Sequence, residues 1–352
     1  MASRRLVLVT GINGYIAAHT AATFLRAGYA VRGTVRAATS ASEPLVRALN
    51  QHHDGDRLEL FEVPDVSVSG AFDRAVQGVD AIAHLASPVS VTETDPLPVM
   101  RAAVEGTTSL LGSALAEWQA KKGALRSFVF ASSISAVFSP ARSPGHVFTE
   151  ADWNDVAEEE VRRLGSDVSG YALYQASKTA AERAFWRFGE EKAAGFGMVA
   201  LCPAPVLGPP LYLPEPISKL SMRVNDIYQL LRGAPIPEFS PIRSTFVDVR
   251  DVAELVYQCV DKDFQGQALG TRERYLLVGQ QLVSPQQMAD VLRARFPECK
   301  DRVREGNPGE KYPDMTWKYD ATKARDLLGR DWTGFQKSVE ESAQVFVDAK
   351  IV

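Results

Sequence analysis

Short β-branched apolar runs alternate with longer stretches of helical spacing through the first part of the chain. The runs are Leu6–Thr10, Val31–Arg36, Leu58–Val63, Ala81–Leu85, Phe128–Ala131 and Met198–Leu201. Between them, Ala17–Ala27, Leu97–Trp118 and Ala172–Lys192 place apolar residues on one helical face. A near-continuous apolar run fits a strand buried on both faces, and its alternation with helices is the mark of βαβ units. Right-handed crossovers then cover both faces of a parallel sheet with helices and leave its ligand at the carboxyl ends of the strands. The pattern predicts a doubly wound α/β domain.

After Leu201 the texture changes. Cys202-Pro-Ala-Pro-Val-Leu-Gly-Pro-Pro210 and Leu213-Pro-Glu-Pro216 are dense in proline, and Pro235, Pro237 and Pro241 follow. Proline lacks an amide donor and breaks regular elements, so a loop-rich region over the sheet is expected. A strand and helix across Ser244–Val260 should return to the main sheet. Beyond about Gln265 come a short strand at Arg274–Val278, a helix after Ser284-Pro285 and a charged terminal helix. The expected division is a main domain of residues 1–203 and 244–264 built on the sheet, with a smaller discontinuous cap of residues 204–243 and 265–352.

Composition narrows the class. The 352 residues are 45% apolar and 23% charged, and 39 Lys plus Arg stand against 43 Asp plus Glu, a net charge of -4. No general basic field awaits nucleic acid. Cys202, Cys259 and Cys299 form no Cys-x-x-Cys pair, and the five histidines are scattered, so neither a disulfide framework nor a metal site is expected. The first apolar run is too short for a signal peptide or a membrane span. A reduced, cytoplasmic protein with a small-molecule substrate, monomeric or homodimeric, is the expectation.

The chemistry begins directly after the first run, at Thr10-Gly-Ile-Asn-Gly-Tyr-Ile-Ala17. Gly11 permits a tight turn, Gly14 lets a pyrophosphate approach the backbone, and Ala17 lets the helix pack closely on the strand. The positive end of that helix would face the phosphates. Gly11, Asn13, Gly14, Tyr15 and Ile16 are therefore candidate cofactor contacts. The second run, Val31-Arg-Gly-Thr-Val-Arg36, ends without the carboxylate that accepts from the ribose of NAD. A guanidinium there can pair with the 2′-phosphate of NADP(H), with Arg36 the first choice and Arg32 the second. Asp65 and Val66, beyond the third run, are placed to meet the adenine, although an Asp there also caps a helix. Leu85, Ala86 and Ser87 close the fourth run where small residues let the nicotinamide ribose lie against the backbone. His84 fits a structural role better than a catalytic one.

Tyr174 and Lys178 are four residues apart, one turn along one helix face. A free phenol has a pKa near 10. A neighbouring ammonium stabilises the phenolate and makes the phenol a usable proton donor. The fifth run ends at Ser132-Ser133-Ile-Ser135, where a hydroxyl can orient a substrate carbonyl. Ser133 is the first choice, with Ser132 and Ser135 as alternatives.

Taken together, Thr10-Gly-x-x-Gly-x-x-Ala17, Ser133 and Tyr174-x-x-x-Lys178 resemble the extended short-chain dehydrogenase/reductases, a Rossmann-type family, and Phe246-Val-Asp-Val-Arg-Asp-Val-Ala253 is similar to a late segment of that family. Thr34-Val-Arg36, His84-Leu-Ala-Ser-Pro88 and Tyr174-Gln-Ala-Ser-Lys178 are most similar to its dihydroflavonol-reductase-like branch, and there to fungal NADPH-dependent aldehyde, ketone and methylglyoxal reductases. The resemblance implies a catalytic triad of Ser133, Tyr174 and Lys178, Arg36 as phosphate clamp and a structural Asp251. It implies hydride transfer from NADPH to a carbonyl, with backbone near Pro203 and Val206 facing the nicotinamide. An apolar substrate pocket is expected from Val89, Tyr171, Pro205, Tyr212, Met222 and Tyr228. No arginine cluster awaits an acidic substrate, which favours neutral aldehydes, aryl ketones and keto esters. The long insertion between Ser133 and Tyr174, including acidic Glu158-Glu-Glu160, lies near that pocket. Alternatives are a sugar-nucleotide epimerase or dehydratase that retains NAD, a non-catalytic NADP-binding sensor, and a steroid or dihydroflavonol reductase.

Overall fold

The computed structural model describes the chain apart from residues 1–3, 40–41, 54, 88–94, 122, 193, 239–243, 268 and 311–316. Its strands, in chain order, are β1 (Leu6–Val9), β2 (Ala30–Val35), β3 (Leu58–Glu62), β4 (Ala81–His84), β5 (Ser127–Ala131), β6 (Val147–Phe148), β7 (Gly197–Pro203), β8 (Val206–Leu207), β9 (Thr245–Asp248), β10 (Arg272–Leu277), β11 (Gln280–Gln281) and β12 (Lys318–Tyr319). The helices are α1 (Tyr15–Arg26), α2 (Glu43–Leu49), α3 (Pro96–Ala120), α4 (Ala157–Leu164), α5 (Gly170–Glu191), α6 (Met222–Leu231), α7 (Val249–Phe264), α8 (Pro285–Arg295), α9 (Thr322–Leu328) and α10 (Phe335–Asp348). All six apolar runs form strands.

Seven strands make one sheet in the order β10-β7-β5-β4-β1-β2-β3. Every neighbouring pair in it is parallel. The strand period of two sends alternate residues to opposite faces. Val7 and Val9 of β1, Val129 of β5 and Leu201 of β7 join one buried cluster with α1 and α7. Leu8, Phe128, Phe130 and Met198 join another with α3 and α5. Both faces are therefore covered, which is why these strands read as unbroken apolar runs. The architecture is a Rossmann-like α/β fold. The chain builds outward from β1 to β3 on one side and from β4 to β10 on the other, so the switch point lies between β1 and β4, where such sheets hold their ligands.

Two sequence expectations are corrected. The strand expected within Ser244–Val260 to rejoin the main sheet is β9, which instead sits between β11 and β8 in a separate small sheet. Only the following helix, α7, returns, packing against β5 and β7. Leaving that helix at Phe264, the chain is delivered to the open edge of β7. β10, assigned above to the cap, pairs there from Arg272↔Met198 to Leu277↔Pro203 and completes the main sheet. The proline-rich stretch also contains a regular helix, α6, whose Val224, Ile227 and Leu231 enter a third cluster with α8 and α10.

Asp251, expected to be structural, is fully buried at the start of α7. Its carboxylate accepts from Arg330 Nη2 (2.7 Å), Thr333 N (2.7 Å) and Thr333 Oγ1 (2.9 Å), tying the segment after α9 to the first turn of α7. Asp251→Ala would strand these donors, and we expect a loss of about 2–4 kcal/mol, read as a lower urea midpoint at unchanged slope. A change under about 0.5 kcal/mol would refute the clamp.

Candidate active site

The loop between β1 and α1 is shaped for a dinucleotide. Gly11 has φ +62°, and a Cβ on it would stand 3.1 Å from Ala86 Cα, so only glycine lets the first loop meet the end of β4. Gly33 on β2 plays a matching part, since a Cβ there would lie 2.3 Å from the side chain of Ile12. Gly14 precedes α1, and no side chain caps that helix or places an acid in its first turn. Its first amides thus stay available to an anion, the fit a pyrophosphate requires.

The neighbouring candidates separate by what their polar atoms already hold. Tyr15 donates its hydroxyl to Gly208 O (2.6 Å), leaving its backbone rather than its phenol for a cofactor. Asn13 O accepts from the Tyr212 hydroxyl (2.7 Å), while Ile16 packs against the core. Arg36 lies exposed just beyond β2. No hydrogen bond or ion pair to another described residue engages it, and its charge acts on nearby Asp65. Arg32, the second choice, is spent: it binds Glu59 Oε2 and the carbonyls of Ala75 and Gln77, each at 2.8 Å. Asp65 accepts from Ser67 N (2.9 Å) and Oγ (2.6 Å), the turn-capping role, and Val66 lies against Gly106 of α3.

At the end of β4, the Thr10 hydroxyl accepts from the amides of Leu85 and Ala86, both at 3.0 Å. Its own proton then goes to His84 Nδ1, 2.9 Å away. Burial lowers the pKa of His84 to about 3, so the ring is neutral and structural. Sequence reasoning passed over Thr10, which organises this corner. Ser87 and Ala86 line a small cavity there together with Lys178.

The three serines after β5 point to different partners. Ser132 donates to Glu182 Oε2 (2.5 Å), and the Ser135 hydroxyl meets the phenol of Tyr171. Ser133, buried, lies near enough to the phenol of Tyr174 to favour its phenolate, and its Oγ accepts from Ser135 N (3.1 Å). Lys178, one turn on along α5, donates Nζ to Ala131 O (3.1 Å) at the end of β5. Burial pushes the Tyr174 phenol up, and the neighbouring Ser133 hydroxyl opposes it. Burial lowers the pKa of Lys178 to about 8. A hydroxyl, a phenol and an ammonium thus converge at the carboxyl ends of β4 and β5, beside the glycine loop.

The substrate-pocket candidates fare unevenly. Tyr171 is half-buried with its ring 6.5 Å from that of Tyr174. Pro205 accepts from Val247 N (3.2 Å), next to Val206 of β8, and buried Pro203 ends β7. Tyr212 borders a cleft of about 40 Å³ with Asn13, Lys219 and Ser221. Met222 is 49% exposed at the start of α6. Tyr228 is buried against Phe346 at 5.2 Å, inside the cluster of α6, α8 and α10, and is core rather than wall. Val89 lies outside the described residues. The insertion between Ser133 and Tyr174 is anchored: Phe148 is fully buried, and Arg274 Nη1 binds the carbonyls of Glu150 (2.9 Å) and Asp152 (2.5 Å). Of the acidic run, Glu158 pairs with Arg183. The three cysteines are free and buried, and no described helix is long and apolar enough to cross a membrane.

Known proteins match this architecture along its length. A protein of Candida albicans named as an NADPH-dependent methylglyoxal reductase is 30% identical, over 97% of this chain and 98% of its own. The ketoreductase azaE of Aspergillus niger is 31% identical, over 92% of each. The crystal structure of Gre2 from Candida albicans in complex with NADPH superposes with a TM-score of 0.84 at 26% identity, covering 98% of this chain and 99% of that one. Residues 7–271 match the NAD dependent epimerase/dehydratase family. By that match and the extended short-chain dehydrogenase/reductase motifs, the chain belongs to the NAD dependent epimerase/dehydratase family.

Proposed function

We propose that this protein is an NADPH-dependent carbonyl reductase that converts neutral aldehydes and ketones, among them diketones, aryl ketones and keto esters, to alcohols. The observation that carries the reading is the convergence of Ser133, Tyr174 and Lys178 beside a glycine loop with uncapped helix amides. NADPH, when bound, supplies the hydride. Gly11, Gly14 and the first turn of α1 would hold its pyrophosphate, Arg36 its 2′-phosphate, and the backbone near Ala86, Ser87, Pro203 and Val206 its ribose and carboxamide. Ser133 donates to the substrate oxygen, and Tyr174 delivers the proton that makes it a hydroxyl. Lys178 stabilises the resulting phenolate and hydrogen-bonds the ribose. The described part of the proline-rich segment, residues 204–238, closes the pocket as a cap, with Tyr171 and Tyr212 on its walls.

The test follows NADPH absorbance with methylglyoxal, simple diketones and aryl ketones, and repeats it with NADH. Consumption restricted to NADPH is the expected result, and none with any carbonyl would defeat the reading. The family name keeps a second reading in play, an epimerase or dehydratase that retains NAD. Arg36 in place of a carboxylate after β2 opposes it, and purified protein carrying tightly held NAD would reverse the order.

A pH prediction follows from Lys178. Its folded pKa is lowered to about 8, so the ammonium is present at neutral pH and is lost as pH rises through that value. Reductive kcat/KM should be level at neutral pH and decline above about pH 8. A profile flat through the alkaline range would contradict the role of Lys178.

A further inference from the structure

Behind the proposed catalytic groups lies a buried polar cluster that none of the steps above uses. Glu182 follows Lys178 by one turn of α5 and is fully buried. Its carboxylate accepts from Arg274 Nε (2.6 Å) and Nη2 (3.1 Å), from Ser132 Oγ (2.5 Å) and from Trp186 Nε1 (3.1 Å). Arg274, itself 8% exposed, stacks on the ring of Trp153 at 4.0 Å. Glu182 thus anchors Ser132, which precedes Ser133, while Lys178, one turn before Glu182, is bonded to the adjoining Ala131 O.

We propose that Glu182 is a positioning residue for carbonyl reduction, fixing Ser133 through Ser132 and setting a carboxylate one helical turn from Lys178. A buried ion pair is costly unless its remaining lone pairs are filled, and here both oxygens of Glu182 are bonded. That investment beside two catalytic candidates points to a functional role rather than to stability. The other groups facing Lys178 supply no counter-charge at neutral pH. His84 on β4 is neutral, the Cys202 thiol on β7 is pushed up to about 12 by burial, and Tyr174 is a protonated phenol. Cys202 and then Glu182 oppose the burial of Lys178; with the thiol neutral at neutral pH, the charge there comes from Glu182, which is itself paired with Arg274 on β10.

The inference rests on the catalytic reading of Lys178, so Lys178→Met is the control. If that variant keeps wild-type turnover, the reading itself fails. If it does not, the comparison is among wild type, Glu182→Gln and Glu182→Asp. Glu182→Gln keeps the shape and loses the charge, so the alkaline decline of kcat/KM should move about one pH unit lower. NADPH affinity, read by fluorescence titration, should weaken over the same displaced interval. Glu182→Asp keeps the charge and shortens the reach, so kcat should fall with the decline where wild type has it. A merely structural glutamate would lower melting temperature or overall activity without moving either midpoint. If Glu182→Gln does not fold, Glu182→Gln/Arg274→Gln leaves no unpaired buried charge, and its decline should move the same way by less. A folded Glu182→Gln or Glu182→Gln/Arg274→Gln variant with the wild-type midpoint overturns the proposal.

Discussion

Tyr174→Phe should lower turnover by about 100- to 10,000-fold, the range a positioned proton donor contributes, while NADPH still binds. Phenylalanine fills the same space on α5, so neither the helix nor the contact with Tyr171 is disturbed. What disappears is the hydroxyl beside Ser133, and with it the proposed proton for the alkoxide oxygen. The magnitude decides between two readings. If Tyr174 only packed, an isosteric ring would keep activity within a few-fold. If it donates, the loss falls on kcat, because the lost interaction exists in the transition state rather than in binding. Single-turnover NADPH oxidation and a fluorescence titration of NADPH measure the two halves separately. Turnover near wild type with the phenol gone would end the mechanism and leave only the fold.

How much of this was readable beforehand depends on how local each cause is. The six strands and three long helices were legible because burial on both faces imposes their composition within a few residues. The glycine loop was legible because Gly11 needs its positive φ locally, and the Tyr174-Lys178 pair because one helical turn joins them. The sheet to which a strand belongs was not. β9 and β10 are both short strands that flank α7, yet one pairs with β8 and β11 and the other with β7. That choice is made by where α7 delivers the chain, which no window of sequence contains. Tyr228 failed for a related reason, since a pattern reports burial but not whether a neighbour is substrate or Phe346. Glu182 had a signal, its place one turn beyond Lys178, but its meaning came from Arg274, 92 positions away.

The arginines after β1 divide in a way that sets the second large effect. Arg32 is held by Glu59 and two carbonyls, so its charge is already answered. Arg36 projects from the end of β2 with no such partner among the described residues, next to the switch point where the adenosine half of a dinucleotide lies. A phosphate on the 2′-oxygen needs a counter-charge, and charge-assisted bonds of this kind contribute about 1.5–3 kcal/mol each. Arg36→Glu removes that contribution and sets a carboxylate against the phosphate, so the KM for NADPH should rise on the order of 100-fold or more. The same carboxylate can accept from the free 2′-hydroxyl of NADH, so NADH should become the better cofactor. Because Arg36 is exposed and carries no packing, thermal stability should stay near wild type, and kcat with saturating cofactor should change little. Arg32→Glu is the counter-experiment: it breaks bonds between strands and should cost stability without reversing preference. An unchanged ratio of NADPH to NADH kcat/KM in Arg36→Glu would take the phosphate clamp away from β2 altogether, since Arg32, the arginine within that strand, is already held by Glu59 and two carbonyls.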